Sequence, residues 1–590
     1  MSAQPAAGAE WFGHPRQLSR LFTTEAMERF GYYGMRALLT LYLAQHFLFS
    51  DTTTTGVYGG FTALVYLTPL IGGMMADRFL GAKRSVKFGA ILMSAGYAVL
   101  CFSATGGPAK PYATIEGQRY EVTVEGRGEA KKQFVTDNGQ QLRIKGNEDK
   151  SVSLLRADGS EARRIAKGGF EPGGERSPLY VFLLLTGLSL VTVGNGFFKP
   201  NISTIVGELY AQGDRRRDAG FTIFYMGINL GSLFSQILCP LLAVGMGSWG
   251  GLGWWAGFAL AAAGMGVSWA LFQFDGGKLD GYGDRPAGAN AGKDMAIYVG
   301  ALLTVPLAYL LFSNLMSYVR PEAGAGLLGY LATLPIMGKI MFGTFLLAVP
   351  GILAWSYFNG DKREFQMMAA ALVLITFNTV FWTLFEQAGS SLTLFADRNT
   401  DMSVFGLFSI SAGQTQFFNA FFIVALAPLF SMMWNRLAAK GREPSIPVKF
   451  AVALMGVGAG FLFLVWGSHF ASAEFKVGLW WLAGLYLIHS MAELCISPVG
   501  LSMITKLSIA RIVGLMMGTW FLSIATAQYV AGVVAQFASV ETVGGEVTNL
   551  KVSLDTYVGV FQTIGVTAMV IGLVLLVLSP ALKKLMHGVN

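Results

Sequence analysis

The chain has 590 residues, 53% of them hydrophobic and only 13% charged, with a formal net charge of +8. Soluble domains carry about 25% charged residues, so this composition excludes an ordinary soluble fold and points to a chain dissolved largely in lipid. Cys101, Cys239 and Cys495 lie far apart, in or beside apolar runs, and the five histidines are scattered; neither set has the spacing of a disulfide framework or a metal site, and no cofactor is expected.

Met1–Glu10 is polar and does not read as a cleaved leader. The first helix starts near Arg16 and runs through E-A-M-E-R-F-G-Y-Y-G-M-R, positions 25 to 36. Glu25, Glu28, Arg29, Tyr32, Tyr33 and Arg36 recur at spacings of three and four, so they share one face of a helix. A charge at the bilayer centre costs at least ~2.5–3.5 kcal/mol and persists where it is paired or lines a wet cavity. The stripe therefore reads as one wall of a polar pathway through a helix bundle.

Phe61–Met75 and Lys87–Ser103 supply the second and third spans. Gly106–Ser177 then interrupts the array with a polar stretch of nearly balanced charge. Tyr120–Val124, Gln141–Ile144 and Ser151–Leu155 alternate as strands, and Asn138-Gly139 and Asp158-Gly159 read as hairpin turns. A small β-rich extracytoplasmic insertion is expected.

The fourth span, Leu179–Val193, runs on into Lys199-Pro200, where the missing proline donor should kink the helix and present the lysine to a cavity. Ala219–Leu242, which holds Asn229, and Trp254–Phe272 follow. Asp275–Lys293, rich in Gly and Asp, reads as a flexible linker. Met295–Tyr318 and Leu327–Tyr357 are apolar nearly all round, carry no buried carboxylate and look peripheral.

Six further spans follow: Met367–Leu384 leading to Glu386, Phe417–Met433, Phe450–Val465, Val477–Ile488 leading to Glu493, Ile512–Val534 and Tyr557–Leu578. His489, in an apolar run, reads as a packing residue. At ~20 residues per span the total is about fourteen transmembrane helices. Six precede the two extra helices and six follow, as in transporters built from two facing bundles.

Arg78, Lys83, Arg84 and Lys87, then Arg215, Arg216 and Arg217, Lys362 and Arg363, Arg436, Lys440 and Arg442, and Lys583 and Lys584 all fall on one side of the membrane. That is the positive-inside pattern, with both termini cytoplasmic. The net charge is explained by topology, and no nucleic-acid partner is implied. Among the buried charges, Glu25, Glu28, Glu386 and Glu493 stand against Arg29, Arg36 and Lys199. These opposite charges are expected to pair.

Several motifs together carry a family resemblance. Glu25-x-x-Glu28-Arg29 followed by Phe30-Gly31-Tyr32-Tyr33 resembles the first-helix signature of proton-coupled oligopeptide transporters, members of the major facilitator superfamily. Phe197-Phe198-Lys199-Pro200-Asn201 and Phe224-Tyr225-x-x-Ile228-Asn229-x-Gly231-Ser232 resemble the signatures of the fourth and fifth helices. Phe381-Trp382 with Glu386-Gln387, and Glu493 with Ser497-Pro498, resemble those of the seventh and tenth. Gly72 through Arg84 is similar to the superfamily's loop after the second helix. Gly59 stands where animal members carry a histidine, so no histidine relay is implied.

The resemblance implies an all-α membrane protein of the major facilitator fold. The N-terminal bundle would occupy 1–105 and 178–274, the insertion 106–177, the linker and extra helices 275–358, and the C-terminal bundle 359–590. It implies a monomer in the bacterial inner membrane that imports di- and tripeptides with protons, not an enzyme. Arg29, Arg36 and Lys199 would receive the peptide carboxylate, for which arginine's bidentate geometry suits, and Glu493 the α-ammonium. Asn229 and Asn419 would hold the backbone. Tyr32, Tyr33 and Tyr66 would line the pocket, and Trp382 and Trp520 would wall it. Glu25, Glu28 and Glu386 would carry the proton, with Glu386 expected to pair with Arg36, and Lys199 with Glu25 or Glu493. The alternative on the same scaffold is proton-coupled transport of nitrate or another small anion. A membrane-embedded enzyme would need a nucleophile with its base, or a metal cluster, at a spacing the sequence does not offer.

Overall fold

The computed structural model describes residues 10–126, 131–137, 139–211, 214, 216–247, 249–275, 279–289, 291–318 and 326–589. Arg215 and Asn138 lie outside them, so neither that basic residue nor the Asn138-Gly139 turn is described. Among the described residues, thirteen helices are long and apolar enough to cross a membrane. Helix α1 (Gln17–Leu41) is the fourteenth, and its charges keep it out of that count.

The N-terminal bundle comprises α1, α2 (Asp51–Met75), α3 (Ala82–Ser103), α4 (Pro178–Glu208), α5 (Arg217–Val244) and α6 (Trp254–Asp275). Two extra helices follow, α7 (Asp294–Met316) and a second in two pieces, α8 (Gly326–Thr333) and α9 (Ile336–Asn359). Pro335 starts the second piece, because proline fits the entry to a helix and not its interior. The C-terminal bundle is α10 (Lys362–Phe385), continued by α11 (Ser391–Asn399), then α12 (Phe417–Ala439), α13 (Ile446–Ser468), α14 (Leu479–Leu507), α15 (Val513–Ala535) and α16 (Leu550–Leu585). Each bundle has its own apolar core, one around Phe61, Phe198 and Phe258 and the other around Phe381, Phe450 and Phe561.

Glycines set the closest crossings. A Cβ on Gly72 would lie 2.0 Å from Gly196 O, where α2 meets α4. One on Gly59 would lie 2.8 Å from Gly532 Cα, where α2 meets α15 across the two bundles. Gly59 thus has a packing reason to lack a side chain.

The insertion is a seven-stranded antiparallel sheet: β1 (Lys110–Ile115), β2 (Gln118–Glu125), β3 (Lys132–Asp137), β4 (Gln140–Gly146), β5 (Val152–Leu155), β6 (Glu161–Ile165) and β7 (Phe170–Glu175), in the order β6-β5-β4-β3-β2-β1-β7. Gly159 takes φ +84° in the β5–β6 turn, where the sequence placed a hairpin. The sheet ties the bundles together on its face of the membrane. Arg176 donates to the carbonyls of Phe47 and Leu48, each at 2.6 Å, in the N-terminal bundle. Gly146 N donates to Thr548 O at 3.2 Å and Asn549 Nδ2 to Gly146 O at 2.9 Å, and Val543 packs into the sheet's apolar core. Both Val543 and Thr548 lie between α15 and α16, in the other bundle.

Asp149 fastens the turn between β4 and β5. It accepts from Ser151 Oγ at 2.6 Å, Ser151 N at 3.0 Å and Arg164 Nη2 at 2.7 Å. Hydrogen bonds from Ser151 hold its carboxyl at about 2 against an ordinary 3.8. A depressed folded-state value gives a contribution present above pH 3.8 and lost as pH falls through about 2. Intrinsically corrected amide exchange at Ser151 should therefore accelerate across that window in the full chain. Asp149→Asn should remove the pH dependence.

The segment 279–289 is not free, as its glycines led us to expect. Gly283 N donates to Glu208 at 2.7 Å and Gly283 O accepts from Lys83 N at 2.8 Å. Lys83 meets Asp284 at 3.2 Å, and Asp294 accepts from Arg84 at 3.1 Å and from Arg285. Two hydrogen bonds at Gly283 and a charge cluster pin the linker to the ends of α3 and α4.

Candidate functional site

The polar stripe of α1 faces inward because its other side is pressed against α5 and α6. A Cβ on Gly34 would lie 2.4 Å from Cys239 Sγ, and one on Gly31 would lie 2.9 Å from Ala261 O. Glu25, Glu28 and Arg29 are almost fully buried. Arg29 Nε lies 3.0 Å from Glu25 Oε1 and 2.5 Å from Glu28 Oε2, with its guanidinium 5.4 Å from the Tyr32 ring centre. Lys199 lies with its Nζ 4.2 Å from the Tyr66 ring centre and, among the described residues, makes no ion pair within 4.0 Å. The expected pairing of Lys199 with Glu25 or Glu493 is therefore not the one present. An arginine on the same helix, one turn from Glu25 and next to Glu28, reaches both carboxylates without crossing between helices. It does so incompletely, since Glu25 Oε2, both Glu28 oxygens and Arg29 Nη2 form no hydrogen bond.

A polar cavity of about 140 Å³ lies between the bundles. Arg36 enters it from α1, donating from Nε to Tyr58 Oη at 2.5 Å and pairing through Nη2 with Glu386. The helix of the seventh span breaks at Glu386, where α10 gives way to a tighter turn before α11. This break aims the carboxylate across the bundle interface. At another point on the cavity wall Asn419 Nδ2 lies 3.2 Å from Glu493 Oε2 and 3.1 Å from Ser490 Oγ. Tyr33, Tyr66, Asn229 and Trp382 also border the space. The cavity therefore offers a guanidinium from one bundle and a carboxylate from each of two helices in the other.

Of the residues singled out in sequence, Tyr33, Arg36, Tyr66, Asn229, Trp382, Glu386, Asn419 and Glu493 line this cavity. Arg29, Lys199, Glu25 and Glu28 form the neighbouring cluster, and Tyr32 is buried beside it. Trp520 packs over Gly500, whose Cβ would lie 2.4 Å from its ring. The lining also includes Gln236, Gln416, Tyr486 and His489, which sequence reasoning had not assigned to it. Tyr58, the hydroxyl on Arg36, was missed too. It stands eight residues before Tyr66 on one helix, just over two turns, and that spacing was the available signal. His489 Nε2 donates to Val457 O, 3.1 Å away, consistent with its packing role.

On the insertion side of the cavity the bundles are bonded shut. Arg398 holds Asp51 with Nη2–Oδ1 at 2.6 Å and Nη1–Oδ2 at 2.7 Å, and its Nη1 also donates to Tyr557 Oη at 2.9 Å. Val540 N donates to Asp51 Oδ2 at 2.9 Å. Gln45 bonds Asp397 at 2.9 Å, Thr40 donates to Gly389 O at 2.5 Å, and Gln536 donates to Thr52 O at 3.1 Å.

Comparison with known proteins gives a consistent result. The POT family model matches residues 83–550. The dipeptide and tripeptide permease A of Edwardsiella piscicida is 29% identical, over 98% of this chain and 96% of that protein. That of Escherichia coli strain K12 is 28% identical over 97% of this chain and 94% of the relative. Among solved structures, a peptide transporter POT in complex with sulfate aligns with a TM-score of 0.70 at 28% identity, covering 98% of this chain and 97% of the other. A POT family transporter in complex with 5-aminolevulinic acid aligns at 0.69 and 25% identity, covering 97% and 98%.

Proposed function

The chain belongs to the POT family, a family of multi-pass membrane transporters with the major facilitator fold, and from that premise we propose that it is a proton-coupled importer of di- and tripeptides. The observation that carries this reading is the cavity between the bundles, with Arg36 on one wall and the Asn419-braced Glu493 on another. Every unmodified peptide has one negative end, one positive end and an amide backbone. A site that holds both ends by charge accepts varied side chains between them.

Peptide binding and proton binding are coupled through Arg36, for which the peptide carboxylate and the ionised Glu386 compete. Its guanidinium is spent on Glu386 in the present state. A proton on Glu386 removes the carboxylate charge and frees Arg36 for the peptide carboxylate. At about 140 Å³ the cavity is smaller than the ~300–1,000 Å³ of ordinary ligand sites, so breaking this pair also makes room. Arg29 and Lys199 lie one step further along the pathway. The unspent hydrogen-bonding capacity of Glu25, Glu28 and Arg29 gives that cluster a second arrangement to adopt, in which Lys199 takes a carboxylate from Arg29. Tyr32 and Trp520 support the walls, Asn229 and Trp382 contact the backbone and side chains, and the closed insertion face is one end state of alternating access. We place both termini on the cytoplasmic side of an inner membrane and take the monomer as sufficient, since one chain supplies the whole site.

Uptake of labelled dialanine into proteoliposomes, with and without an inward proton gradient, tests the reading. Gradient-dependent accumulation that unlabelled di- and tripeptides block is expected; no peptide-dependent flux would overturn it in favour of a small anion. Within it, Glu493→Gln should weaken dialanine about 10- to 100-fold, the worth of a hydrogen bond to a charged group. The effect on N-acetyl-dialanine, which lacks the ammonium, should be much smaller.

A further inference from the structure

A second cavity, of about 690 Å³, lies away from the polar pathway, between α2 and α4 on one side and α7 and α9 on the other. Its walls are almost wholly apolar. The hydroxyls that line it are already committed: Thr68 to Thr192 O at 3.0 Å, Thr192 to Leu188 O at 2.8 Å, and Thr304 to Ala301 O at 2.6 Å. They have no donor to spare for a polar guest. Among the described residues, the one charged group in the lining is Lys293, at the end of the cavity away from the insertion, with its ammonium 5.2 Å from the Phe79 ring centre. Lys293 immediately precedes α7, whose N-terminal end carries the positive pole of the helix dipole. Arg84 and Arg285 share the single carboxylate of Asp294 beside it, which leaves this end net cationic.

We propose that this cavity is a binding site for a phospholipid with an anionic headgroup: an acyl chain fills the space between the extra helices and the N-terminal bundle, and Lys293 receives the phosphate. A bilayer supplies chains to any apolar space open to it, and a lysine at the membrane surface selects for negative headgroups. The charge at one end and the absence of free polar groups elsewhere fit a molecule that is anionic at one end and apolar along its length. The occupant would touch Gly196 and Phe197 on α4, two to three residues from Lys199. The extra helices would then serve to hold a lipid against a mobile part of the transporter.

The test uses the purified full-length protein in mixed micelles, titrated with phosphatidylglycerol or with phosphatidylcholine of the same chains and read by native mass spectrometry. Wild type should retain one phosphatidylglycerol through delipidation that strips the phosphatidylcholine. Lys293→Gln should lower the preference for phosphatidylglycerol about fivefold, the expected share of one basic residue. Gly300 lines the cavity and a Cβ there meets nothing within 4 Å, so Gly300→Phe starts from an unobstructed position, should place its ring in the cavity and should lose both lipids. Equal retention of the two lipids by wild type, an unchanged preference in Lys293→Gln, or a retained lipid in a Gly300→Phe protein of wild-type melting temperature would each overturn the proposal.

Discussion

Glu386→Gln should abolish proton-driven accumulation of peptide and leave counterflow exchange running. Glutamine keeps the shape of the side chain and can still accept a hydrogen bond from Arg36, so the cavity in which this pair lies remains formed. What it removes is the change of charge. On the proposed mechanism a proton decides, in the wild type, whether Arg36 is bound to the second bundle or available to substrate; in the variant Arg36 would be weakly held at every pH. Peptide can therefore still bind and be carried across in either direction. The gradient no longer has a group through which to act, and the inside-to-outside ratio of labelled dialanine should fall from well above one to one. Counterflow should stay within a few-fold of wild type. Driven accumulation that survives in this variant would move the coupling site to Glu25 or Glu28, which lie in the adjacent cluster with Arg29.

The parts of this site that could be read from sequence are those where a charge interrupts an apolar run. Glu25, Arg29, Arg36, Lys199, Glu386 and Glu493 stand out because lipid penalises each of them unless something compensates. Which partner compensates is a different question. Arg29 sits within one turn of both glutamates, and that local geometry prevails over a lysine from another helix. The pairing of Arg36 with Glu386 links residues 350 positions apart, and it was anticipated only through charge balance and the family resemblance. The insertion was legible as β structure, but β1, β3, β6 and β7 were not singled out, because their alternation is broken by glycine, proline or charge. The closure at Asp51 escaped notice for a simpler reason. Asp51 opens a helix and Arg398 closes one, positions where charged residues are ordinary, and neither lies inside an apolar run.

That closure yields the second large effect. Asp51 and Arg398 have side chains 1% and 4% exposed, and they belong to different bundles. Replacing such a buried pair by apolar side chains costs little, but removing one partner leaves a buried charge with nothing to balance it, a loss of about 3–5 kcal/mol. Asp51→Asn is the sharper variant, since it keeps the volume and strands Arg398 beside Tyr557. The same carboxylate also fixes Val540 N, so the loop that carries Val543 into the insertion's core loses an anchor. The stranded guanidinium can regain water only if the bundles part on this side. Asp51→Asn should therefore shift the protein toward opening at the insertion face, with faster amide exchange at 398–400 and 540–547 and a lower melting temperature. Asp51→Leu combined with Arg398→Met, which removes both charges, should recover most of the protection. Unchanged exchange in Asp51→Asn would mean that the sheet's own hold on both bundles, through Arg176 and Asn549, is enough to keep this face closed.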